Sequence, residues 1–197
     1  MLERHPRLAR LFAAGSLALL GSGCGPDIEA APGEPQGACN AVETTYKNGS
    51  RDHVELCSSV DYEMSPPVFG DHYPNWAAFM TYDYPVPLGY LVHSLEHGAV
   101  VVFYDCPEEC LDEVAEVQAA IDSWPADPLC SLDIKHRVIL VPSPGLGVRW
   151  AAAAWGYSIK ADCFDAELFA NFYARHVGNA PEDLCNQGDV IAPGACQ

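Results

Sequence analysis

The sequence predicts an α+β domain: a small, mostly antiparallel sheet with two helices packed on it, a long Pro-rich loop, and disulfides. Three observations predict it. Two β-branched apolar runs, "AVVVFY" (Ala99–Tyr104) and "HRVILVP" (His136–Pro142), read as buried strands. Two segments have apolar residues at helical spacing, "CLDEVAEVQAAIDSW" and "DAELFANFYARHVG". Eight cysteines lie beyond residue 24, an even number suited to disulfide pairing outside the cytoplasm.

Taken in order, residues 1–23 read as a signal peptide. Arg4, Arg7 and Arg10 precede the apolar run "LFAAGSLALLGSG", which is short for a membrane span and ends in small residues. Cys24 then stands where a lipoprotein carries its lipidated cysteine, although Leu20 lies one place further from it than usual. Gly25 fits sorting to the outer membrane, facing the periplasm. Residues 24–38, rich in Pro, Gly and acid, are expected to form a flexible tether between the lipid and a single domain over 39–197.

Asp61–Pro87 is dense in prolines and aromatics, so it is neither a long helix nor a central strand. An ordered loop of that length is expected to have a function. In the first helix Leu111, Val114, Val117 and Ile121 should face the core. "RWAAAAWGYSIKA" (Arg149–Ala161) reads as a third strand. In the second helix Phe169, Phe172 and Val177 should face inward, and Gly178 should stop it.

The formal charge of −17 would become −19 once residues 1–23 were removed. That excludes nucleic acid and anionic lipid as natural partners. For the cysteines, the local pairs Cys39–Cys57 and Cys185–Cys196 are expected, with Cys106, Cys110, Cys130 and Cys163 pairing among themselves. A thiolate metal site or redox pair at "CPEEC" is disfavoured by its C-x3-C spacing.

The chemistry centres on "VHSLEHG" (Val92–Gly98). His93 and His97 are four apart and share a face in either a helix or a strand. Gly98 would end a short helix before the strand. His72 lies in the Pro-rich loop just upstream, where prolines reduce the entropy lost on closing over an ion. His72, His93 and His97 form the expected three-nitrogen site for zinc or copper, with a position left open. Glu96 could be a fourth ligand, a general base, or a carboxylate orienting an imidazole. Met64 and Met80 would favour copper as ligands but read better as packing. Trp76, Tyr82, Tyr84 and Tyr90 could wall a pocket or anchor the loop. His136, His176 and His53 rank lower.

The letters also spell H-x-x-E-H, a peptidase zinc motif in which glutamate activates water. Here Gly98 and a strand follow at once, and Glu167 is the one acid at a suitable downstream distance. Three functional readings stand: a metal-binding envelope domain, a zinc-dependent hydrolase with Glu96 as base, and a non-catalytic interaction domain with structural histidines.

"PPVFGDHYPNW", "YDYPVP", "LVHSLEHGAVVVFY", "AAAAWGY" and "APEDL" together resemble the landmarks of the bacterial domain-of-unknown-function family 3105, over most of residues 61–184. The loop departs from the family's "PPTSG.H" form, Met80 replaces a usual glycine, and the cysteines are additional. The resemblance implies one domain, a secreted or membrane-tethered protein, and a special role for His72, His93, Glu96 and His97. It implies no activity.

Overall fold

A computed structural model describes residues 27–106, 110–131 and 133–196. The expected signal peptide and Cys24 lie outside the described residues. Nine elements follow in order: β1 (Glu29–Pro32), β2 (Val42–Lys47), α1 (Leu88–Glu96), β3 (Val100–Tyr104), α2 (Leu111–Ser123), β4 (Val138–Pro142), β5 (Trp150–Ala154), β6 (Tyr157–Ala161) and α3 (Ala166–His176). The strands form one sheet in the order β1-β2-β6-β5-β3-β4. Every pairing is antiparallel except β3 with β4. The expected α+β class is therefore what the chain adopts, with a third helix added.

The sheet is buried on both faces at β3, β4 and β5, and β3 shows why its sequence is apolar throughout. Val100 and Val102 join a core with Val117, Ile121 and Trp124 of the α2 region and Phe169, Phe172 and Tyr173 of α3. Val101 and Phe103 point the other way, into a core with Leu91 and Leu95 of α1 and with Val68, Tyr73 and Tyr82 of the Pro-rich loop. Side chains alternate across a strand, so a strand between two cores must be apolar at every position. The Pro-rich loop thus does the work of a layer. Its proline-fixed backbone lays Val68, Phe69, Tyr73, Ala77 and Tyr82 onto the sheet.

Both expected helices form. Asp165 caps α3 by accepting from the backbone N–H of Glu167 and Leu168. Phe169 and Phe172 are buried and Val177 packs against the same core. In α2, Val117 and Ile121 are buried and Val114 is partly so. Leu111 is instead 71% exposed, because it begins the helix beyond the edge of the core.

Three expectations are corrected. Residues 29–32, read as free tether, form the edge strand β1. Arg149–Ala161 is not one strand but the hairpin β5–β6, turning at Trp155 and Gly156. The disulfides are Cys39–Cys163, Cys57–Cys196, Cys106–Cys110 and Cys130–Cys185, so neither Cys39–Cys57 nor Cys185–Cys196 exists. The reason is topological: the sheet brings chain segments far apart in sequence together, and three of the four bridges span 55, 124 and 139 residues.

Candidate metal centre

Helix α1 is short because its end is fixed by sequence. Gly98 takes φ +85°, a left-handed conformation that stops the helix, and donates its N–H to Leu95 O. No side chain fits there: a Cβ on Gly98 would lie 2.8 Å from Gly178 Cα and 2.7 Å from Arg137 Nη1. Buried Arg137 donates to His97 O at 2.9 Å, placing a cation at the negative end of the helix. Asp127 and Asp183 hold that guanidinium, each at 2.6 Å. The C-terminal segment crosses the same end, with Glu182 N bonded to Glu96 O and Leu184 N to His97 O.

One helical turn puts His93 and Glu96 on one face of α1. The Pro-rich loop folds onto that face. Tyr73 N bonds to Gly89 O, and Ala77 N to the Ser94 hydroxyl. The loop thereby carries His72 to Glu96, with Nε2 2.9 Å from Glu96 Oε2. A second loop lies alongside: His53 bridges His72 in parallel, through His72 N to Asp52 O and Val54 N to His72 O. His53 Nε2 reaches to 3.8 Å from the same carboxylate oxygen.

His53, His72, His93 and Glu96 each present a ligand atom, all within 4.8 Å of one another. His72, His93 and Glu96 are buried, whereas the His53 side chain is 52% exposed and forms the rim. Ligands of a tetrahedral ion with bonds of about 2.0–2.2 Å stand about 3.3–3.6 Å apart, so small side-chain movements would complete a shell. Two imidazoles are already oriented for it. His72 Nδ1 donates to Gly70 O at 2.8 Å, and His93 Nδ1 donates to Tyr73 O at 2.6 Å. Each ring is thereby fixed with its other nitrogen, Nε2, left to face a cation, the usual support of a metal-ligating histidine. Burial pushes His93 down to about 4, so its ring is neutral at neutral pH, as a ligand must be.

The His72–Glu96 contact needs a proton or a metal ion between its two atoms. With Nδ1 donating to Gly70 O, a neutral His72 ring would offer only a lone pair to a carboxylate 2.9 Å away.

Of the three expected histidines, His72 and His93 lie in this group. His97 stands outside the group of four. Its Nε2 lies 3.1 Å from His93 Nε2 and 3.3 Å from Glu182 Oε2, with the Trp76 ring 4.3 Å away. Its Nδ1 is buried without a hydrogen-bond partner. As a ligand through Nε2 it would leave a buried Nδ1–H unsatisfied, a cost of about 1–3 kcal/mol. Its place is taken by His53, which sequence reasoning ranked low in a polar stretch. Its polar surroundings, four residues before Cys57, carry no ligand spacing that would have marked it.

The remaining candidates are structural. Glu167 is exposed in the first turn of α3, away from the cluster. His176 binds Glu43 at 2.8 Å and His136 binds Trp124 O at 3.1 Å. Met64 packs against the core and Met80 is exposed. Tyr82 and Tyr90 are core; Trp76 borders His93 and His97, and Trp155 stands edge-on to His72.

Residues 53–188, more than half of the chain, match a family described as Protein of unknown function (DUF3105). The chain belongs to that family. The DUF3105 match begins at His53, so all four clustered residues fall inside it. No curated protein and no solved structure matches the chain.

Proposed function

We propose that this DUF3105 domain binds a divalent transition metal, zinc before copper, through His53, His72, His93 and Glu96. One observation carries the reading: four converging ligand atoms, three of them on buried side chains. The pinned Nδ1–H groups of His72 and His93 support it. Three nitrogens and one oxygen with no thiolate suit zinc, and a half-exposed His53 gives the ion a way in and out.

The hydrolase reading fits the geometry less well. It needs both motif histidines on the metal and the glutamate held off it, whereas Glu96 lies inside the cluster and His97 outside. The structural reading has a specific support of its own. His72–Glu96 and His93–Tyr73 O fasten the Pro-rich loop to α1 with or without an ion.

Elemental analysis of protein purified without an affinity tag decides between metal and clasp. The metal reading expects close to one equivalent of zinc or copper, or uptake by stripped protein at micromolar metal with a raised Tm. Protein that takes up neither, with unchanged Tm, would overturn it.

We place the domain outside the cytoplasm, tethered through a lipid on Cys24 to the outer membrane. The order of arginines, apolar run, small residues and cysteine supports this, as do the four disulfides. Among the described residues no helix is long and apolar enough to cross a membrane. Cell fractionation tests it: the wild type should pellet with membranes and Cys24→Ser should not.

A further inference from the structure

His97 belongs to the family-like motif yet is not in the cluster, and its hydrogen bonding assigns it a different part. The protons can be placed one by one. Tyr73 O can only accept, so His93 Nδ1 carries a proton. A ring with its proton on Nδ1 has one lone pair, on Nε2, and that is the atom it can offer to an ion. The same atom lies 3.1 Å from His97 Nε2. Two nitrogens at that distance need a proton between them, and it must therefore sit on His97. A neutral His97 then has no proton on Nδ1, which agrees with that atom being buried with no acceptor beside it.

We propose that His97 is not a metal ligand but a competitor for one, its Nε2–H occupying the His93 lone pair until an ion displaces it. The inference rests on the metal-binding reading and adds a control to it. When the ion takes His93 Nε2, the displaced N–H can turn to Glu182 Oε2, already 3.3 Å from the same nitrogen. Glu182 is positioned for this by its own N–H, which binds Glu96 O. The exchange therefore needs only a turn of the His97 ring, which meets the Trp76 ring at 61°. His97 lowers metal affinity and Glu182 restores part of it. Both are positioning residues acting through His93.

The two roles give opposite signs. Phenylalanine keeps the ring packing against Trp76 and removes the competing N–H, so His97→Phe should bind zinc about 3- to 10-fold more tightly than wild type, the worth of one hydrogen bond. Glu182→Ala removes the alternative acceptor and should bind zinc more weakly, by about 3-fold or more. Competition against a chromophoric chelator measures both. Histidine-ring NMR of the ion-free wild type supplies a readout that needs neither metal nor mutant. It should show His93 as the Nδ1–H tautomer and His97 as the Nε2–H tautomer.

Weaker zinc binding by His97→Phe would make His97 a ligand and overturn the proposal. So would unchanged binding in both variants, or His97 protonated on Nδ1 in the wild type. Should His97→Phe fail to fold, Glu182→Ala and the tautomers still decide. A wild type that binds no zinc while His97→Phe does would support the competition in extreme form. No binding by either protein would defeat this proposal together with the metal reading, whatever the tautomers.

Discussion

The four clustered residues divide by what holds them. His72 and Glu96 are buried and bonded to each other, while His53 is half-exposed and reaches the site from a surface loop. A substitution at each position should therefore separate metal binding from folding. Glu96→Gln should cost the ion-free protein about 2 kcal/mol or more, because a buried charged partner is lost, and should weaken zinc by more than about 100-fold. His53→Ala should leave ion-free stability within about 0.5 kcal/mol, as a rim substitution, yet weaken zinc by at least about 10-fold. Urea unfolding with and without zinc measures both. Equal losses of stability and affinity at His53 would mean that it braces the loop and nothing more.

The histidines also set a pH dependence at this scale. Burial holds His93 near 4, below the unfolded value near 6.5, and lowers His97 and His176 by the same cause. A depressed histidine favours the fold while it is neutral. Its contribution is complete above the unfolded value and is lost as pH falls from about 6.5 toward about 4. His93 alone is worth about 3 kcal/mol across that window. Zinc affinity should fall as pH approaches about 4, where protons compete for His93 Nε2 in the folded protein. Unfolding curves between pH 8 and pH 4 that run flat would show the ring to be solvated.

At the scale of elements, the site depends on where α1 stops. Gly98 ends the helix at a point where Gly178 Cα, Arg137 and the C-terminal segment converge. Gly98→Ala would combine a positive φ with contacts of 2.7–2.8 Å. It should destabilise the protein by about 2–4 kcal/mol and misplace His93 and Glu96 together. A Tm drop accompanied by lost zinc binding checks this; loss of neither would show that the turn can relax. The elements differ in how legible they were. β3 and β4 carry an apolar residue at every position because two cores meet them, and α3 carries both a cap and a stop. β2, "VETTYK", is half-buried along its length and offers no such pattern. β5 and β6 merge in the sequence because alanines fill a doubly buried strand and only Trp155–Gly156 marks the turn. β1 is exposed at every residue and is a strand only because β2 is there to pair with.

On the scale of the whole molecule, the part of the site that sequence could not reveal is the part assembled over distance. His93 and Glu96 are a helical turn apart, and the prolines around His72 announced a fixed loop. His53 joins them only because its segment pairs with residues near His72, and that segment is held by a bridge from Cys57 to Cys196 near the end of the chain. This gives the disulfide a functional consequence. A bridge spanning 139 residues should stabilise the fold by about 4–5 kcal/mol through the unfolded chain, and it also fixes the loop bearing the one exposed residue of the cluster. Replacing both cysteines, Cys57→Ser with Cys196→Ser, should lower Tm and weaken zinc about as much as His53→Ala does. The test is whether the effects overlap. If the bridge acts through His53, adding His53→Ala to the double serine variant should cost little further affinity. If the two losses multiply, the bridge and the rim histidine act independently, and the disulfide serves the fold alone.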